Sequence, residues 1–156
     1  MIVQKASDAD IDILADLRIE YLKEDSGFLD ESDAEVIAKS LPDYFARHLG
    51  RDLYCYIIRD GNDIAACAFL LIVEKPMSPA FINGKTGTVL NVYTRPSCRH
   101  RGYAREIMEE LIADAKKMEL SRIELKSTEA GHSLYLSMGF KDDDSHYHLM
   151  NRSDIR

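Results

Sequence analysis

Residues 88–117 read T-V-L-N-V-Y-T-R-P-S-C-R-H-R-G-Y-A-R-E-I-M-E-E-L-I-A-D-A-K-K. The first seven are rich in β-branched and aromatic side chains and stop just before Pro96, which suits a strand. From Gly102 onward Ala104, Ile107, Met108, Leu111, Ile112 and Ala115 recur at helical spacing, and Lys116 and Lys117 suit the negative end of a helix. Between strand and helix stand Arg95, Arg99, Arg101 and Arg105, with no acid among residues 95–105. A helix begins with amides that lack intrahelical partners and with partial positive charge, so crowding guanidinium groups there is unfavourable until an anion neutralises them. Gly102 permits close backbone approach, and Ala104 leaves room beside it. The stretch predicts a strand, an anion-binding turn and a helix, with phosphate or pyrophosphate as ligand. The competing reading is a solvated charged face.

Upstream, residues 1–6 are compatible with a short strand, and Ser7 with Asp10 resembles a reciprocal helix cap. A helix follows from Ile11, carrying Leu14, Leu17, Ile19, Tyr21 and Leu22, and frays near Asp25, Ser26 and Gly27. A second helix starts at Ser32 and carries Val36, Ile37, Leu41, Tyr44, Phe45 and Leu49, with Pro42 as a break or kink. Residues 53–59 and 64–73 flank Asp60-Gly61-Asn62 and predict a hairpin; residues 75–87 read as a long loop. Downstream come a short strand at 122–126, a compact helix at 132–138 stopped by Gly139, and one or two closing strands around Asp142-Asp143-Asp144 that include residues 147–150. The order β-α-α-β-β-β-α-β-α-β implies an α/β (α+β) fold. A single domain over 1–156 is expected, with a mixed, mostly antiparallel sheet flanked by about four helices.

A chain of 156 residues with 46% hydrophobic content can bury one substantial core. Its longest apolar run, 64–73, is shorter than the roughly 18–20 residues that cross a bilayer, and the N-terminus lacks a signal-peptide pattern. Cys55, Cys67 and Cys98 match neither a disulfide framework nor a zinc site, so a cytoplasmic location is expected. Residues 1–50 hold 12 acids and 5 bases, and residues 51–156 hold 15 of each, so the net charge of −7 lies wholly in the first third. That balance disfavours nucleic acid and anionic membrane as partners, since both need a basic face.

Two phosphate-binding strings, the P-loop and the dinucleotide fingerprint, are absent. Arg99-His100-Arg101-Gly102-Tyr103-Ala104, after a strand ending in V-Y-T-R-P, resembles the [Q/R]-x-x-G-x-[G/A] signature of the GNAT superfamily of N-acetyltransferases. A second family element resembles G-H-S-L-Y-L-S-M-G-F at 131–140. The resemblance is strong over 88–140 and rests on element order before that. It implies acetyl-CoA as cosubstrate, with backbone groups of Val92 and Thr94 on strand Val92-Tyr93-Thr94 pairing with the pantetheine arm. The amides of His100, Arg101, Gly102, Tyr103, Ala104 and Arg105 would hold the pyrophosphate, and Arg99 is a further cofactor-binding candidate. It further implies that Tyr135 protonates the departing thiolate, which a phenol with a pKa of about 10 can do at neutral pH. The bland alternative for Tyr135 is an aromatic core residue. Thr128 stands where the family often carries an asparagine and is a candidate cofactor contact.

The implied reaction is direct attack by a primary amine, from a small molecule or a peptide, on the acetyl carbonyl. The proton acceptor is open: Glu74, Glu129 and the acids of the first two helices are candidates, the signature strand offers only Asn91, and a solvent relay is preferred. Cys98 between arginines raises the question of a covalent acetyl carrier. His132, His146 and His148 form no recognisable metal set, so no metal is expected. Acceptor choice is expected to lie in residues 21–35 and 75–87; the first is acidic, which suggests a cationic amine. Exposed strand edges leave a homodimer open. A non-catalytic acyl-CoA sensor on the same fold is the alternative function.

Overall fold

The computed structural model describes residues 2–155. Val3–Lys5 (β1) pairs antiparallel with Leu53–Asp60 (β2), β2 with Asp63–Glu74 (β3), and β3 with Lys85–Thr94 (β4). Arg122–Glu124 (β5) joins β4 in parallel, giving a five-stranded mixed sheet in the order β1-β2-β3-β4-β5. Ile11–Ser26 (α1) and Glu31–His48 (α2) precede β2, Tyr103–Lys117 (α3) connects β4 to β5, and His132–Ser137 (α4) follows. A parallel pair needs such a crossover, and α3 supplies it. The chain divides into two compact units, Met1–Lys126 and Ser127–Arg156. The first contains the sheet and α1 to α3.

Alternation along β2 and β3 sorts the sheet's two faces. Leu53, Cys55 and Ile57 of β2 and Cys67 and Phe69 of β3 share one buried cluster with Leu14 and Leu17 of α1 and Phe45 of α2. Tyr56, on the opposite face of β2, donates its hydroxyl to the Asp114 carboxylate of α3, and Lys5 of β1 pairs with the same carboxylate at 2.9 Å. Ile107, Met108 and Leu111 of α3 are fully buried, each worth roughly 1.5–3 kcal/mol of hydrophobic stabilisation. The start of α1 is fixed by Asp10, whose carboxylate accepts the Ser7 amide at 2.9 Å and both Arg59 Nη atoms at 3.0 Å.

Four expectations change. α2 begins at Glu31 rather than Ser32, because Asp30 caps it by accepting the Asp33 amide and the Ser32 hydroxyl. Pro42 does not break α2; with Phe45 buried and Leu41 and Tyr44 half-buried, packing outweighs the lost hydrogen bond. The loop before β4 is shorter than 75–87: β4 starts at Lys85, and the Lys75 amide closes the hairpin on the Gly84 carbonyl at 2.8 Å. No closing strand forms in the described residues 140–155. Three consecutive aspartates disfavour extended pairing there, and Tyr147, Leu149 and Met150 remain exposed. No helix among the described residues is long and apolar enough to cross a membrane.

Candidate active site

The site starts with a fault in β4. Cys67 faces Tyr93 and Phe69 faces Leu90, so Asn91 and Val92 together oppose the single residue Ala68. Asn91 takes the left-handed conformation there, φ 54, which asparagine tolerates better than most residues. Its buried side chain is held on both sides: Oδ1 accepts from Arg18 Nη1 at 3.2 Å, and Nδ2 lies 3.6 Å from Cys67 Sγ. Pairing with β5 covers only Thr86, Gly87 and Thr88 of β4. Past Thr88 that edge of the strand has no neighbouring strand among the described residues. The Arg95 amide donates to the Ala65 carbonyl on the β3 side, so strand alternation turns the backbone groups of Thr94 and Val92 toward the open edge. The Thr94 carbonyl already accepts Arg99 Nε at 2.9 Å.

The edge runs into a turn whose conformation departs from ordinary loop geometry. His100 and Gly102 both have positive φ, 66 and 78, and a Cβ added at Gly102 would meet no atom within 4 Å. Glycine takes that backbone angle without strain, and the space in front of it is open. The helical ladder of α3 begins with the Glu106 amide donating to the Gly102 carbonyl at 3.1 Å. The amides before it form the concave, positively polarised end suited to an anion.

The four arginines are not equivalent. Arg95 donates to Glu20 at 2.7 Å, to Asp63 at 2.9 Å and to the Ile64 carbonyl at 2.9 Å. Arg99 reaches Glu24 at 2.7 Å, and its guanidinium sits 5.7 Å from the Tyr93 ring centre. The Arg99 hydrogen bond holds the Glu24 carboxyl below the usual carboxylate range. Both arginines are therefore neutralised by acids of α1, which absorbs much of the charge excess seen in the sequence. Tyr93 belongs to the same brace: it is buried, edge-on to Tyr21 at 6.3 Å, and burial followed by Glu20 and Glu24 raises its phenol. Arg101 and Arg105 lie on the exposed side of the turn with His100, while Tyr103 and Ala104 are half-buried at the start of α3. Cys98 is buried in a short turn, Pro96–Cys98, with its sulfur 3.7 Å from Ser97 Oγ, an inaccessible position for an acetyl carrier.

In the second unit Tyr135 lies on α4, buried, with its ring edge-on to Phe140 at 5.9 Å. The Thr128 hydroxyl accepts the Gly131 amide at 3.2 Å and so shapes the turn into α4. His132 Nε2 lies 2.7 Å from Asp142, which raises the imidazole pKa.

A model of the acetyltransferase (GNAT) family matches residues 14–140. The chain belongs to that family. Among solved structures, this GNAT chain is similar to a predicted acetyltransferase from Clostridium acetobutylicum crystallised with acetyl-CoA. Identity is 29%, coverage is 96% of this chain and 95% of the other, and the TM-score is 0.83. A GCN5-related N-acetyltransferase from Ralstonia eutropha shares the fold at 22% identity, with 96% and 97% coverage and a TM-score of 0.74. Glucosamine-6-phosphate N-acetyltransferase from Arabidopsis thaliana shares it at 18% identity, 98% and 97% coverage and a TM-score of 0.65. No curated protein matches.

Beside the bulge the GNAT chain has a cavity of about 200 Å³ lined by Arg18, Leu41, Tyr44, Phe45, Leu53, Phe69 and Leu90. Neither of the segments expected to choose the acceptor, 21–35 and 75–87, contributes to it. Arg18 was not singled out by its residue type, yet a signal existed: it lies on the Leu14, Leu17, Tyr21 stripe of α1, where an apolar residue is expected. Glu74 is exposed at the end of β3, and Glu20 and Glu24 are engaged by arginines.

Proposed function

We propose that the chain, read as one domain over 1–156, is an N-acetyltransferase that moves the acetyl group of acetyl-CoA to a primary amine. The observation that carries this reading is the open edge of β4 leading directly into the left-handed turn at the start of α3, in a chain whose family match spans 14–140. That edge fits an amide-bearing tether, and the turn fits its diphosphate. Val92 and Thr94 would pair with the tether, and the amides of residues 100–105 with the diphosphate.

The acceptor nitrogen bonds to the acetyl carbon, the carbon–sulfur bond breaks with its electron pair on sulfur, and nitrogen loses one proton. Tyr135 supplies a proton to the thiolate, as a phenol protonated at neutral pH can. The amine's proton leaves through solvent: Asn91 cannot accept it and is held between Arg18 and Cys67. Three free, buried cysteines fit a reducing cytoplasm. A second reading, a non-catalytic acyl-CoA sensor, draws on the engagement of Glu20 and Glu24, which leaves neither as a ready base.

Coenzyme A should raise the melting temperature of the protein, and acetyl-CoA with an amine panel should release thiol. Tyr135→Phe should lower kcat by about 10²-fold or more with little change in the coenzyme A shift. A shift without thiol release from any amine selects the sensor; no shift at all removes both readings.

A further inference from the structure

Resting on the acetyl-transfer reading, we infer that Arg18 anchors a carboxylate on the acceptor, so that the substrate is an amine carrying an acid group and a single apolar side chain. The α1 acids that point toward arginines go elsewhere: Glu20 to Arg95 and Glu24 to Arg99. Among the described residues no carboxylate forms an ion pair with Arg18. Its guanidinium donates to the neutral Asn91 amide at 3.2 Å and stacks 5.8 Å from the Tyr21 ring centre. A half-buried cation at the wall of a mostly apolar cavity, with most of its five N–H donors outside these contacts, is matched by an oxyanion whose body is apolar.

Size narrows the class. The cavity's volume of about 200 Å³ falls below the roughly 300–1,000 Å³ of sites for drug-sized ligands. Leu41, Phe45, Leu53, Phe69 and Leu90 wall it with hydrocarbon, so it holds one leucine- or phenylalanine-sized group and disfavours a sugar or a polyamine. An acceptor whose charges are all cationic, as the acidic 21–35 segment suggests, would leave the Arg18 guanidinium without an anion. Asn91 links this anchor to the bulge of β4, which places the acid-binding group beside the strand edge assigned to the tether.

The test measures binding of N-acetyl-leucine, N-acetyl-phenylalanine, their carboxamides and spermidine to the wild type, Arg18→Gln and Arg18→Lys, without cofactor. Thiol release from acetyl-CoA with the parent amines is measured alongside. The acids should bind the wild type about tenfold tighter than the amides or more, Arg18→Gln should erase that preference, and Arg18→Lys should restore part of it. The coenzyme A melting shift should be the same in all three proteins, which also shows that the variants are folded. Equal or tighter binding of amides or spermidine, an unchanged preference in Arg18→Gln, or no binding of either acid overturns the assignment. Failure of coenzyme A to raise the melting temperature overturns acetyl transfer instead, and the acid preference is still read directly from the binding arm.

Discussion

The turn at residues 99–105 and the cavity beside Asn91 solve opposite recognition problems with different material. The turn is made from one short stretch of backbone, with positive φ at His100 and Gly102 and the first amides of α3. The cavity is made from side chains of α1, α2, β2, β3 and β4. Backbone amides recognise a class of anion whatever the side chains are, so the turn suits a ligand that never varies. Side chains from five elements can each be exchanged, so the cavity is where selectivity is set. The arginines divide along the same line: Arg95 and Arg99 are neutralised internally and brace the turn against α1, whereas Arg18 faces the cavity with a neutral partner.

The hardest blow to this division is Gly102→Val. A β-branched residue at φ 78 costs about 1–3 kcal/mol of strain and shifts the amides, and a displacement of about 1 Å lowers kcat/KM by about 10²-fold. The coenzyme A melting shift should vanish while N-acetyl-leucine still binds; loss of both would show that turn and cavity are one device. Leu90→Glu is the mirror experiment. Leu90 is 37% exposed on the cavity wall, so the new carboxylate is tolerated and competes for Arg18. Acid probes should weaken about tenfold with the coenzyme A shift unmoved. Glu24→Gln has the smallest effect. Because the Glu24 carboxyl is lowered by Arg99 in the folded state, its stabilisation is present above the unfolded carboxyl pKa and fades as pH falls through the folded value. The pair is half exposed, so the variant should lose less than about 1 kcal/mol at neutral pH. It should also flatten the acid limb of a melting-temperature profile.

The same contrast explains what could be read in advance. The strand, turn and helix of 88–117 are local, and so are the hairpin at Asp60-Gly61-Asn62 and the two motifs; each announces itself by spacing or turn chemistry. The mixed, mostly antiparallel sheet followed from their order. The partners of Arg95 and Arg99 lie 75 residues away in α1 and leave no local trace. Arg18 could have been noticed on its stripe, but its cavity needs the register of β3 against β4, including a bulge that sequence patterning does not reveal. The segment after Phe140 misled for the opposite reason: alternation at 147–150 imitates a strand, but no regular element forms there.

The bulge also decides which way β4 presents its side chains. Leu90 and Tyr93 lie on the same face although an odd number of positions separates them, because one residue is absorbed opposite Ala68. Pairing the same residues without the bulge would send either Leu90 or Tyr93 to the other side of the sheet, whereas deleting residue 91 or 92 would remove the bulge and leave both on one face. A gap of one residue at that point therefore keeps the core contacts in phase and costs instead the kink at Asn91, the partner of Arg18.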